Sequence, residues 1–197
     1  MLKDFPRIYQ MMYYVTSMSL SIVLFTLKIL YSQFYNHSLT HTSITLIVLG
    51  LILFLGLLSR LLYYKIKNKY NYQEYYSQEE YNGENFSKEN ISEINGQPVS
   101  FLISNVTSLY FIESFTVPSI LAFAGIHLIL FIMMIKGENL QPNPFLFLYN
   151  LDIYKTKNND FLFNFNEQTE HNEILRLSDK KNCRTYIVGS LEDVFSK

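Results

Sequence analysis

Long apolar runs separated by polar stretches fill the first two thirds of the chain. The first run, Met11–Tyr31, carries a single charged residue, Lys28, near its end. The second, Ser43–Tyr64, is the most hydrophobic part of the chain and closes with Arg60 and a tyrosine pair. A helix of about 20 residues crosses the hydrocarbon core of a bilayer, which is about 30 Å thick. Transmembrane helices are therefore predicted over residues 12–31 and 43–64.

The third apolar run, Pro98–Ile135, is too long for one ordinary span. As one helix it would reach about 57 Å, nearly twice the hydrocarbon thickness. Pro118 divides it, which predicts a hairpin of two spans at 99–116 and 118–135. Lys and Arg residues flank the N-terminal run, open the 65–97 loop and follow the third run. Since cytoplasm-like loops gather these residues, the N-terminus, the loop and the tail are placed on one side.

The remaining sequence is polar and lacks another apolar run. Residues 65–97 are rich in Tyr, Asn and Glu. Residues 137–197 alternate short aromatic and polar stretches, and these strand-like stretches, with Arg184–Val188 as another, favour edge strands or extended arms. The predicted fold class is an all-α integral membrane protein of three or four transmembrane helices. Residues 1–136 form the membrane region, and residues 137–197 form a polar, largely extended C-terminal tail. The tail has few aliphatic residues and would make a poor independent core. It is therefore expected to lie across a partner.

Composition narrows the function classes. The net charge of −1 gives no reason to expect a nucleic acid partner, and the single cysteine forms no internal disulfide. The four histidines are scattered, so no metal site is predicted, although His37 and His41 would share a helix face. Phe and Tyr number 16 each while Trp is absent, which is typical of an AT-rich genome and suggests an organelle-encoded chain.

Glu113 is the candidate for charge chemistry. A carboxylate near an apolar run is costly and usually faces a bundle interior or a wet cavity, which favours a proton relay or an ion pair with another subunit. The alternative is a turn between two short spans at headgroup level, which the nearby Pro118 favours. Nucleotide-binding loops, catalytic triads and CxxC motifs do not occur in the sequence, so the chain is expected to act as a component and not as an autonomous enzyme.

Three further polar residues lie in or near the spans. His127 is expected to make a polar contact with a neighbouring helix, with haem ligation or proton relay as the alternative. Lys28 and Arg60 lie near helix ends, where long cationic side chains reach the interface, and are predicted to be interfacial anchors.

Residues 109–135 resemble subunit 6 of the respiratory NADH dehydrogenase (complex I). That family carries a Glu upstream of an aromatic-x-Gly motif and an aliphatic run ending in Met. Here the comparable residues are Glu113, Phe123, Gly125, Leu130, Phe131 and Met133–Met134. The resemblance implies a helix whose geometry changes locally near Gly125 and a place in the proton-translocating membrane arm.

A second set of residues is similar to cytochrome c oxidase subunit 3. It comprises His37-Ser38-Leu39, Leu49-Gly50-Leu51, Phe54, Tyr63-Tyr64 and the motif Phe123-x-Gly125-x-His127. Both resemblances imply a membrane complex of the mitochondrial respiratory chain.

The function expected from these features is that of a multi-pass subunit in the mitochondrial inner membrane, contributing to proton translocation in complex I. The alternatives are a cytochrome c oxidase subunit 3-like protein, or a structural accessory subunit of a respiratory complex or of ATP synthase. An unrelated small transporter or bacterial membrane protein is a third class. The expected partners are other subunits and membrane lipids, with lipids bound and no cofactor held by the chain.

Overall fold

The computed structural model of the chain describes residues 6–35, 40–76, 91–94, 101–103, 105–106, 116–136, 140–157, 160–166, 175–176 and 185–190. Its helices are α1 (Arg7–Ser17), α2 (Ser19–Tyr35), α3 (His41–Tyr76), α4 (Val117–Lys136) and α5 (Pro144–Leu148). Its strands are β1 (Ile91–Glu93), β2 (Asp152–Thr156), β3 (Phe161–Asn164), β4 (Leu175–Arg176) and β5 (Thr185–Val188). Residues 101–103 and 105–106 are also helical.

Two helices in the described parts of the chain are long and apolar enough to cross a membrane. They are the His41–Lys69 portion of α3 and the whole of α4, and only 17% and 6% of their most apolar stretches are buried. A helix in water would hide that surface against a core, so lipid is the solvent that these faces fit. The structure confirms a mostly helical chain with two candidate membrane spans.

The expected run at 12–31 is occupied by two helices that meet at Met18. Their axes are bent by 64°, and the pair has the length and composition of one further span. The amphipathic α1 buries Gln10, Tyr13 and Thr16 on its inner face and leaves Ile8 and Met11 exposed. The bend therefore separates an amphipathic helix from the more uniformly apolar α2.

The chain is mostly helical, as predicted, but it is not purely all-α. The tail supplies four strands of a five-stranded sheet of order β1-β2-β3-β5-β4, and β1 comes from the polar 65–97 loop. All pairs are antiparallel except β3 with β5. Every residue of β3 and β5 is buried. The aromatic stretches that predicted extended arms thus form a core within their own chain.

A single hydrophobic cluster joins the helices to the sheet. α3 has 36 residues, about 54 Å at 1.5 Å per residue, so its end projects well beyond the hydrocarbon core. Past Arg60, this end contributes Leu62 and Ile66, which pack with Phe163 of β3 and Tyr13 of α1 in one buried cluster. The membrane helices and the sheet therefore share a core, with α1 between them.

Candidate functional site

The bend between α1 and α2 has a side chain inserted into it. The buried Asn105 donates from Nδ2 to the Ser17 carbonyl over 3.1 Å, and its Oδ1 accepts from the Ser21 amide over 3.1 Å. An uninterrupted α-helix would join these two backbone groups to each other. Insertion of a side chain into this ladder is one of the few established causes of a sharp helix bend. Asn105 thus accounts for the bend and satisfies both groups that it separates.

Bonds on either side of the break hold the two helices in place. The Met18 amide donates to the Tyr14 carbonyl over 2.9 Å, and the Ile22 amide donates to the Met18 carbonyl over 3.1 Å. Asn105 also donates to the Phe101 carbonyl over 3.0 Å, which fixes its amide to its own helical segment. The break is therefore a defined geometry with satisfied hydrogen bonds.

His127, in the middle of α4, contacts both arms of the bent pair. Its Nδ1 lies 2.7 Å from the Tyr14 hydroxyl of α1, and its Nε2 lies 3.1 Å from the Ser21 hydroxyl of α2. A neutral imidazole has one donor and one acceptor nitrogen, and a hydroxyl can take either role. Both hydrogen bonds can therefore form in either tautomer. Through them, α4 contacts α1 on one side of the break and α2 on the other.

Aromatic rings surround the histidine. Phe25 of α2 stacks on Phe123 of α4 with ring centroids 3.8 Å apart and planes within 3°, and Phe123 lies 4.2 Å from the His127 ring. Tyr14 packs edge-on against Phe131 at 5.3 Å. These contacts place the hydroxyl–imidazole bonds among apolar rings, where hydrogen bonds are electrostatically stronger than in water.

The Ser21–His127 contact has the residue types of a nucleophile and its base. Ser21 is fully buried, however, and its hydroxyl sits between α2 and α4. A nucleophile needs an approach path for its substrate, and the described residues cover the Ser21 side chain completely. The arrangement therefore serves to hold helices together.

A second set of bonds ties α1 to the water side. The Tyr13 hydroxyl donates to the Gln141 carbonyl over 2.7 Å, and Asn143 Nδ2 donates to the Thr16 hydroxyl over 2.7 Å. Asn143 also caps α5 by accepting from the Leu146 amide at 3.2 Å. Tyr13 and Thr16 of α1 thus bond to the segment that leads into the sheet, while their neighbour Tyr14 bonds to the membrane helix α4.

The predicted site residues are dispersed. Glu113 lies outside the described residues. Pro118 is the second residue of α4, where its missing amide costs nothing. The chain stays α-helical through Gly125, which has open space at its Cβ position.

The predicted anchors lie at different places on α2 and α3. Lys28 is half-buried on α2. The exposed Arg60 donates to the Tyr64 hydroxyl over 3.2 Å and lies 5.5 Å from the centre of that ring. Of the predicted site residues that the structure describes, only His127 belongs to the polar network. The sequence did not identify the hydrogen bonds made by Asn105, Tyr14, Ser21 and Asn143. The one sign of these residues in the sequence was a polar side chain within or beside an apolar run.

Asn105→Ala is expected to lower the free energy of unfolding. The change removes the side chain that pairs the Ser17 carbonyl and the Ser21 amide. These groups then stay unpaired in the bent arrangement, or pair with each other only if α1 gives up its bonds to the segment at 141–143, and a buried backbone group without a partner costs about 1–3 kcal/mol. Thermal unfolding of the purified protein in detergent checks this, with Asn68→Ala on the exposed face of α3 as the matched control. Equal melting temperatures for the two variants would show that the bend does not depend on Asn105.

Tyr14→Phe and His127→Ala are expected to be non-additive. Their hydroxyl–imidazole bond should appear as a coupling energy of about 0.6–1.7 kcal/mol, the range measured for side-chain bonds between membrane helices. A double-mutant cycle on unfolding free energies measures it. The control cycle pairs His127→Ala with Tyr31→Phe at the far end of α2 and should be additive; equal coupling in both cycles would contradict a direct bond.

Comparison with known proteins places the chain differently from the sequence expectation. Residues 9–193 match the profile of a family described as anti-phage protein KwaA. No curated protein and no solved structure matches the chain.

This finding overturns the resemblances to complex I subunit 6 and to cytochrome c oxidase subunit 3. The expected respiratory function, respiratory partners, organelle origin and mitochondrial inner-membrane location are wrong with them. Those resemblances rested on short apolar stretches with an aromatic-x-Gly step. Any apolar span can supply such a match, because its aliphatic residues fit lipid equally well.

The family match, in contrast, runs through the helices, the polar loop and the strands of the tail alike. Polar and apolar segments have to agree in order and spacing for such a match. The chain belongs to the anti-phage KwaA family.

Proposed function

We propose that this protein is the membrane-embedded component of a bacterial defence against phage, and that it transmits a change in the membrane to the sheet at the water side. The family supports the defence role, and the exposed apolar faces of α3 and α4 support the membrane location. The observation that carries the transmitting role is the double attachment of α1.

Four positions near the end of α1, residues 13, 14, 16 and 17, hold this double attachment. Tyr14 and the Ser17 carbonyl bond to His127 and Asn105 on the membrane side. Tyr13 and Thr16 bond to the segment at 141–143, which leads through α5 into β2. A rigid helix fixed at both faces cannot turn without pulling on both groups of partners. A change in the bend at Met18 would therefore displace both the membrane helices and the segment that leads into the sheet.

The break itself provides two alternative bonding arrangements. With Asn105 inserted, the Ser17 carbonyl and the Ser21 amide bond to its side chain and the helices bend. With Asn105 withdrawn, the same two groups can bond to each other in a continuous helix. Neither arrangement leaves these two backbone groups unpaired, which supports the break as an element with two alternative states. Coupling between distant regions needs such a two-state element.

The sheet also supports a topology of four membrane crossings. β1 precedes and β2 follows α4, and the two strands pair, so an even number of crossings separates them. With α4 as one crossing, the proposed topology requires a second crossing between β1 and α4. Asn105, which reaches the helix break, lies on that path. The bent α1–α2 pair and α3 complete the four, and the Lys and Arg distribution makes the sheet side cytoplasmic.

Single cysteines in β1 and directly after β2 should lie on the same face of the membrane. With Cys183 replaced by Ser, the exposed positions Ser92→Cys and Lys157→Cys are expected to react with an impermeant maleimide only after spheroplasts are permeabilised. Thr42→Cys, at the start of α3, should react in intact spheroplasts. Labelling of Ser92→Cys and Lys157→Cys from opposite faces would rule out the four-crossing topology.

Thr16→Val is expected to weaken protection against phage in the native strain. The change removes the hydroxyl that accepts from Asn143, and a bond worth about 1 kcal/mol shifts a two-state equilibrium about fivefold. Efficiency of plating, with the gene replaced at its own locus, should rise towards that of the deletion strain. Immunoblots of the membrane fraction should show unchanged protein amounts.

Thr45→Val is the matched control for this change. Thr45, on the exposed face of α3, donates to the carbonyl four residues earlier, as Thr16 does, at 3.0 Å and 2.8 Å. The Thr45 variant should therefore protect like the wild type. If the two variants protect equally at equal protein levels, the transmitting role of α1 is refuted.

A further inference from the structure

The short helix α5 lies against the apolar part of α3. The Tyr149 hydroxyl donates to the Gly56 carbonyl over 3.1 Å, and the Phe145 ring would lie 3.7 Å from a Cβ at Gly56. Gly56 precedes Arg60 by about one helical turn, or about 6 Å along the axis. Arg60 and Tyr64, which bond to each other, mark the interface. α5 therefore reaches the depth of the outer acyl chains.

Two large apolar side chains on this helix face outward. Phe147 is 46% and Leu148 is 72% exposed. Leu146, on the opposite face of the helix, is fully buried in the hydrophobic cluster. The whole stretch at 140–151 contains no charged residue. Exposed aromatic and aliphatic side chains without a nearby charge fit lipid better than water.

Hydrogen bonds within the segment close both ends of α5. At its start, Pro142 and Pro144 have no amide to satisfy, and Asn143 accepts from the amides of Leu146 and Phe147. At its end, Asn150 adopts a left-handed φ of 56° and donates to Phe147, and Leu151 donates back to Leu146 over 3.1 Å. This is the Schellman closure of a helix end. A segment with paired backbone groups can enter hydrocarbon, where an unpaired group is costly.

We infer that α5 is a lipid anchor, which inserts Phe147 and Leu148 among the acyl chains of the leaflet on the sheet side, beside α3. The anchor holds the sheet close to the membrane at a second point, separate from the helices that cross it. It requires only that the chain is embedded in a membrane and is independent of the defence role.

The absence of tryptophan from the chain makes the test direct. In Phe147→Trp the new residue is the sole indole, and the protein is reconstituted in phosphatidylcholine–phosphatidylglycerol vesicles. Its emission should be shifted to shorter wavelength and largely lost when the acyl chains carry bromine close to the headgroup. Lys157→Trp on the sheet is the water-side reference, and Leu53→Trp on the exposed face of α3 is the deep reference.

Two outcomes would overturn the anchor. Emission quenched by aqueous iodide and not by brominated lipid, as for Lys157→Trp, would place residue 147 in water. Emission shielded from both quenchers would mean that protein, such as a second copy of the chain, covers it. Leu148→Trp repeats the measurement at the more exposed position, so that a misfolded first variant leaves the result decidable.

Discussion

A helix broken inside a packed core has to satisfy the backbone groups that the break exposes, and much of the structure depends on this constraint. The amide of Asn105 meets it by bonding to both the Ser17 carbonyl and the Ser21 amide. Because the bend is held in this way, α2 continues as part of a span while α1 leaves at a different angle. α1 thereby reaches the segment at 141–143 and the hydrophobic cluster beneath the sheet.

Hydropathy was sufficient to find α3 and α4, since length and apolar content alone identify such helices. The sheet was not found because its strands are short and lie far apart in sequence. β1 has three residues within a polar loop, and nothing local shows that it pairs with residues 154–156. The stretch Phe145–Tyr149 was interpreted as extended, yet Asn143 and Pro144 start a helix there. Helix capping by Asn143 and strand pairing between distant residues determined these structures, and the alternation of aromatic and polar side chains did not reveal either.

The polar network shows a similar limit. A histidine within an apolar run indicates a hydrogen bond to a neighbouring helix, but His127 bonds to Tyr14, which is 113 positions away. Asn105 looked like one polar residue among several in an amphipathic stretch. Its role depends on a bend in a helix that precedes it by 84 positions or more. Such roles arise from tertiary contact and leave no local pattern in a single sequence.

The origin of the sheet strands fixes an order for biosynthesis. β1 leaves the ribosome well before β2, and α4 lies between them in sequence. β1 therefore lacks its antiparallel neighbour β2 until α4 and the segment after it have been synthesised. A chain that stalls at this point exposes an unpaired strand, while a complete one closes the sheet over it. Closure of the sheet thus comes after the synthesis of α4, and the buried side chains of β3 and β5 join the shared core only at that late stage.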